Sequence, residues 1–476
     1  MRWRWFGISL IAVGCTTPNP RSCADGTCGD PALPFCDVNG TLGGLPNECI
    51  APACEPGTFA ECRGDTEVRC NATGNDYELS RCERGCEDGV GCRACLPNET
   101  ACLNGTLMTC DASGAVVETE ACPLGCFEDE PRCREVDPSN GLGVYLDMVP
   151  SPPDLDLSAG GTIDTTAGTV TASGDVALDI PSFEVPASAG GAPIRVFVAN
   201  RVVLGDVTVT SGTEYEGPAL AIVARDEISV DGIVTVTGGD LRTSGCSGAK
   251  GTDVVTPERG NRHASGSGGG AHATDGAAGG AVRPLPGDST QDIVGGTGGR
   301  SEGADDLVPL RGGCAAGGFS SSPVSIAYGA RGGGAMQLVS RKAISVSGAL
   351  DVDGMNGVLI ELNDGAAHSG GGGGGGLLLE APRIDLLGHG GLLARGGDGS
   401  GCAPMISACG IPGEGARAGM EARPGRDAIG SSGIRRGAGG GGGLGRIRIN
   451  TKDGTYTSAS SVEVNGALTT GTLATR

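Results

Sequence analysis

Ile228-Ser229-Val230-Asp231-Gly232-Ile233-Val234-Thr235-Val236-Thr237-Gly238 returns, position for position in character, as Ile344-Ser345-Val346-Ser347-Gly348-Ala349-Leu350-Asp351-Val352-Asp353-Gly354. Each copy reads as two short alternating strands around a glycine corner, with a second glycine ending the second strand. Val202-x-Leu204 leads to Val207-x-Val209 in the same way, and Ile384-x-Leu386 and Ile447-x-Ile449 continue the series. A period of two puts the aliphatic residues on one face and Thr235, Thr237, Asp351 and Asp353 on the other. Short strand pairs turning at glycine, with no helical period between them, predict a Gly-rich parallel β-helix or solenoid whose coils stack into an aliphatic ladder.

Composition agrees with a narrow core. The 476 residues include 90 Gly and 21 Cys but only two Trp, five Tyr and seven Phe, and both Trp (Trp3, Trp5) stand in the first five positions. A layered enzyme of this length carries far more aromatic residues and far less glycine. Collagen is excluded because the glycine has no strict three-residue period and Pro is scarce. A net charge of -22 excludes nucleic acid as a partner, since that requires a basic footprint.

The repeats are unevenly spaced, and the excess falls in residues 239–334, 354–376 and 396–443, rich in Gly, Ala and Ser and including an unbroken run from Gly370 to Gly376. These stretches supply little core and are expected as outgrowths on one side of the coils. Disorder and packing as extended polyglycine strands are both open to them. Pairing of Cys246 with Cys314 and of Cys402 with Cys409 would pin them.

Before residue 134 the texture is different. Cys54, Cys62, Cys70, Cys82, Cys86 and Cys92 repeat as Cys95, Cys102, Cys110, Cys122, Cys126 and Cys133, and Cys23, Cys28, Cys36 and Cys49 form a shorter relative. A module of about 40 residues cannot bury enough apolar surface to fold unaided, so disulfides are expected, in one of the 15 pairings six cysteines allow. Zinc at Cys82-x3-Cys86 and Cys122-x3-Cys126 is the rival, disfavoured by export and by the absence of His from these modules. Arg63-Gly64-Asp65 reads as an integrin-type tripeptide but has no counterpart in Leu103-Asn104-Gly105, and is read as accidental. So are the glycosylation sequons at Asn71, Asn98 and Asn104.

Residues 1–14 combine basic Arg2 and Arg4 with a short apolar run, too short to span a bilayer, and read as a secretion signal. Ala12-Val13-Gly14-Cys15 resembles the bacterial lipobox, which implies lipidation of Cys15, and Thr16 in place of Asp implies the outer membrane. The expected organisation is a lipoprotein signal peptide over 1–14, a tether over 15–22, a short Cys-rich module over 23–53, Cys-rich modules over 54–94 and 95–135, and the Gly-rich β-solenoid over 136–476.

Lipobox, Cys modules and Gly-rich β-runs ending in Gly439 to Gly443 and Leu444-Gly445-Arg446-Ile447-Arg448-Ile449 together resemble surface lipoproteins of myxobacteria and related predatory bacteria. The Gly-rich half is also similar in texture to the glycine-rich repeat proteins of mycobacteria. The resemblance implies location and architecture and carries over no catalytic residue.

The chain has no P-loop, nucleophile elbow, metalloprotease or dinucleotide motif, and Gly295-Gly296-Thr297-Gly298-Gly299-Arg300 has Arg where a calcium nonapeptide has Asp. His263, His272, His368 and His389 lie in or beside Gly-rich stretches and are read as solvent-exposed, with no recognisable third metal ligand. Asp351 and Asp353 would lie about 6.5–7 Å apart on one strand face, a spacing compatible with paired-carboxylate hydrolysis. The expectation is a non-enzymatic, lipid-anchored cell-surface protein without cofactor or metal, its Cys-rich stalk displaying a solenoid for adhesion to surface glycans or other envelope components. A polysaccharide lyase or hydrolase, and a structural envelope spacer without ligand, are the alternatives.

Overall fold

The computed structural model describes residues 22–23, 27–30, 32–33, 35–38, 45–51, 54–93, 95–112, 114–127, 130–187, 191–211, 217–238, 247–249, 253–255, 262–283, 292–320, 326–327, 329–362, 365–402, 410–429 and 435–476. The signal peptide, Cys15 and most of the tether lie outside them, as do Cys246 and Cys409. The fold is nearly all-β, and the chain divides into two units between Cys133 and Arg134.

The first unit is built by its disulfides. Cys54 pairs with Cys70, Cys62 with Cys86 and Cys82 with Cys92, and the next module repeats the pattern as Cys95–Cys110, Cys102–Cys126 and Cys122–Cys133. The short module joins Cys23 to Cys36 and Cys28 to Cys49. Each longer module is a three-stranded antiparallel sheet: Phe59–Arg63, Thr66–Cys70 and Tyr77–Arg81 in one, Thr100–Leu103, Thr106–Cys110 and Val116–Ala121 in the other. The outer strands Tyr77–Arg81 and Val116–Ala121 are exposed throughout. With so little apolar surface buried, cross-links must carry much of the stability, at about 2–4 kcal/mol each.

In the second unit three largely parallel sheets share one core. The first contains Leu155–Leu157, Val202–Leu204, Ile228–Val230, Ala343–Val346, Arg383–Leu386 and Thr457–Ser458. The second contains Gly161–Asp164, Val207–Thr210, Ile233–Val236, Ala349–Asp351, Gly391–Leu393 and Glu463–Asn465, with two antiparallel strands added at one edge. The third contains Ile194–Ala199, Ala219–Ala224, Ala335–Ser340, Gly376–Glu380, Arg446–Thr451 and Ala467–Thr472, with antiparallel Ser182–Val185 at its edge. Each sheet is open. The repeats legible in the sequence supply the first two: Val202, Ile228, Ile344 and Ile384 stand in register, as do Val207, Val234 and Leu350.

The third sheet corrects that reading. Ile447 and Ile449 do not continue the first-sheet series, because they pair with Leu377 and Leu379 in the third sheet. Its central strands are apolar with few interruptions, the clearest being Ala219-Leu220-Ala221-Ile222-Val223-Ala224, buried on both faces. The inward column Phe197, Ile222, Leu338, Leu379 and Ile449 is buried. On the outer face, Ser139 of a helical segment donates from N and Oγ to buried Glu380, which also accepts from Gln337 at 2.7 Å and Asn450 at 3.0 Å. A glycine column turns the chain from the first sheet to the second. A Cβ on Gly348 would strike the Gly232 carbonyl, and one on Gly232 would strike Gly205.

Candidate functional site

The described parts of the glycine-rich stretches form a packed layer of extended segments, the second of the two outcomes open to them. Their backbone hydrogen bonds follow a rule of three. The N–H groups of Gly437, Gly440 and Gly443 reach Ala264, Ser267 and Gly270, while those of Gly439, Gly442 and Gly445 reach Ser400, Gly397 and Ala394. Ala438 and Gly441 turn to a third neighbour, at Arg426 and Arg423. In segment 368–376, Gly371 and Gly374 bond to Gly440 and Gly443, whereas Gly372 and Gly375 bond to Met355 and Val352. A chain whose bonding direction returns every third residue has the three-residue turn of polyproline II, which makes no internal hydrogen bonds and must bond outward. Glycine is required by space: a Cβ on Gly372 would collide with the Arg331 carbonyl and one on Gly442 with that of Gly372. All the long stretches leave the coils where the second sheet passes to the third.

The layer changes the place of the histidines. The expectation of solvent exposure holds for His389 and fails for His263, His272 and His368, which are buried. A side chain bordering tightly packed glycine is enclosed by backbone, so composition misled. His272 Nδ1 lies 3.0 and 3.1 Å from the carbonyl oxygens of Gly374 and Gly375, and burial, with Arg446 nearby, lowers its pKa to about 4. His368 faces Ser400 Oγ at 3.2 Å and Cys402 Sγ at 3.7 Å, and burial followed by the Arg436 charge lowers it to about 4.

Asp351 and Asp353 take different roles. Asp351 aligns with Thr235 in the second sheet. Burial raises its pKa, Asp353's charge adds to the rise, and the bond its carboxylate accepts from Asp353 N at 2.9 Å opposes it. Asp353 is held by Arg395, accepting from the backbone N at 2.6 Å, Nε at 2.7 Å and a terminal guanidinium nitrogen at 2.6 Å. The second carboxylate is therefore committed to an ion pair in this arrangement. Asp353 borders a polar cleft lined also by Met355, Asn356, Arg395, Asp398 and Arg417, which continues past Glu414 and Arg423. Asn356 and Asp398, one coil apart, face each other there, Asn356 Oδ1 accepting from Asp398 N at 2.8 Å, and within the later insertion Asp398 Oδ1 accepts from Gly415 N at 2.8 Å. The mixed charges suit hydrogen bonding to a hydroxyl-rich or zwitterionic ligand.

The cysteines zinc would need are split between bridges, Cys82 with Cys92 and Cys86 with Cys62. Cys23, Cys28 and Cys49 approach one another, as do Glu67, Cys82 and Cys92, but each of these sulfurs is in a disulfide. Cys314 and Cys402 are also disulfide-bonded, and Cys246 and Cys409, the partners expected for them, lie outside the described residues. Arg63-Gly64-Asp65 spans a hairpin tip where Gly64 has φ +65°, and Asn104 and Gly105 make the corresponding turn with positive φ. The Asn71 sequon is turn chemistry as well, its side-chain oxygen accepting from Gly74 N at 2.7 Å.

No family model, no curated protein and no solved structure matches the chain.

Proposed function

We propose that this is an exported lipoprotein of the outer membrane, displayed at the cell surface, whose second unit is a parallel β-helix serving adhesion or envelope interaction without turnover. The observation carrying this reading is the economy of the second unit. Consecutive strands go to the third, first and second sheet in turn, in a register that repeats from coil to coil, and the described parts of the insertions between coils pack into a layer largely by main-chain bonds. Such a body resembles a rigid solenoid presenting an extended surface, the common use of stacked coils. The neutralisation of Asp353 by Arg395 weighs against paired-carboxylate catalysis, and a disulfide-built first unit fits an oxidising compartment.

The test has two arms. The intact protein should bind a component of a glycan and envelope panel without altering it. Cys15→Ala should move the protein from the membrane fraction to the soluble one. Binding by neither glycans nor envelope fractions would leave the spacer as the better reading. The raised pKa of Asp351 is the one observation favouring the enzymatic alternative. That reading expects reducing or unsaturated ends to be released from a polysaccharide, and the release to disappear in Asp351→Asn.

A further inference from the structure

The glycine-rich layer has almost no side chains with which to hold itself together, yet it encloses three of the four histidines, each beside an arginine. His263 Nδ1 accepts the backbone N–H of Arg435 at 3.2 Å. His368 has Arg436 as its neighbouring charge. His272 lies between segments: its Nδ1 faces the carbonyls of Gly374 and Gly375, and its Nε2 is buried without a partner. A Cβ built on Gly303 would stand 3.9 Å from that Nε2 and 3.9 Å from Arg446 Nε, with Arg311 at 4.0 Å, so two cationic side chains border one side of the ring. The nearby acids are already engaged. Arg446 pairs with Asp305 and donates to the carbonyls of Glu302 and Gly303, and Arg311 lies 3.6 Å from Glu302. Around His368 stand Ser400 Oγ, the disulfide-bonded Cys402 Sγ and Arg436.

We propose that the glycine-rich layer is an acid-operated latch, closed while His272 and His368 are neutral and opened, segment from segment, when both take up a proton. Two carbonyls facing Nδ1 require it to carry the hydrogen, which leaves Nε2 of His272 as the site of protonation. The incoming proton creates a buried cation beside Arg446 and Arg311, whose acidic partners Asp305 and Glu302 are already engaged. Segment 368–376 takes the effect directly, because His368 begins it and the His272 ring bonds Gly374 and Gly375 within it. Segment 437–445 follows, since Gly440 and Gly443 receive the bonds of Gly371 and Gly374.

The sign follows from linkage. In the closed layer the two rings titrate at about 4; in the open layer they titrate near the ordinary 6.5. The open form thus binds more protons between those values, and closure weakens as pH falls from about 6.5 to 4 and is constant above that window. At pH 4.5 each ring favours opening by roughly 50- to 100-fold relative to pH 7.

The experiment is hydrogen exchange on the intact chain, corrected for the intrinsic pH effect. Protection of the amides of Gly371–Gly376 and Gly439–Gly445 should fall at least ~100-fold between pH 7 and pH 4.5, while core amides of Ala219–Ala224 keep theirs. The double variant His272→Gln/His368→Gln, which cannot charge, should retain protection at pH 4.5. Equal loss in wild type and variant, or full protection of the wild type at pH 4, overturns the latch. Should the variant fail to fold, nitrogen-15 titration of the wild-type imidazoles gives the answer. Charging that coincides with loss of protection supports the latch, and charging near pH 6.5 with protection intact overturns it.

Discussion

Gly125 and Gly442 are the same residue put to opposite uses. Gly125, in the first unit, has φ +80° and open space around its Cα; Gly442, in the second, has an ordinary φ and a carbonyl where a Cβ would stand. The contrast extends to the units. The first answers a shortage of apolar surface with cross-links and uses glycine for turns at positive φ. The second answers it by stacking short strands on a thin aliphatic core and uses glycine so that backbones can approach one another. One unit is limited by its covalent bonds and the other by its volume.

Reduction is the harshest way to break the comparison. An excess of thiol should unfold the first unit, exposing Arg69, Arg81 and Arg93 to trypsin, because each lost bridge removes about 2–4 kcal/mol. Arg195, inside the third sheet, should resist cleavage under the same conditions. Peptide mapping distinguishes the outcomes, and simultaneous cleavage of both units would show that they do not differ as described.

Next in size is an alanine placed in each setting. Gly442→Ala should cost about 3 kcal/mol, the upper end for overpacking, since the colliding atom is backbone and cannot turn aside. Gly125→Ala should cost about 1–2 kcal/mol, the strain of a left-handed residue with no clash. Denaturation midpoints of the two variants check the order.

Carboxylates sharpen the contrast at smaller scale. Glu380→Gln replaces an oxygen with a donor where Ser139, Gln337 and Asn450 already donate, and should lower stability by about 2 kcal/mol. Glu61→Gln removes an exposed pair with Arg63 and should change stability by less than about 1 kcal/mol. The smallest effect belongs to Asp351→Asn. Its carboxyl titrates above the ordinary value, so the charged form is disfavoured in the folded state, and stability contributed by that carboxyl declines as pH rises through its pKa. The variant's melting temperature should be slightly above wild type at pH 7 and should lose this advantage near pH 4.

Much of this fold is legible in the sequence, and the illegible part has a consistent cause. The alternating strands and their glycine corners could be read because one face is aliphatic and the other polar. The cysteine spacing marks the modules because closely matching intervals recur, although spacing alone does not choose among the pairings. The third sheet escapes because both faces of its central strands are covered, which blurs alternation; its signal is the unbroken apolar run at 219–224, flanked by runs at 194–199 and 335–340 that only Arg195, Gln337 and Ser340 interrupt. Exposure of the histidines was misjudged because glycine composition does not distinguish open loop from tight backbone packing. Asp351 and Asp353 do not share a strand face as expected, since the strand ends at Asp351 and Asp353 lies past it, bonded back through its backbone N; Arg395, which engages Asp353, comes from the following coil and carries no local signal.

The sequence by itself determined the strand period, the corners, the modular cysteine repeat and an aliphatic core poor in aromatics, because these depend on residues near each other in the chain. Only the tertiary structure decided which cysteines join, which face Glu380 anchors, and that the glycine runs bond to neighbours in three directions. Each of these depends on a partner brought close by folding, and a backbone without side chains leaves no sequence pattern by which that partner can be recognised.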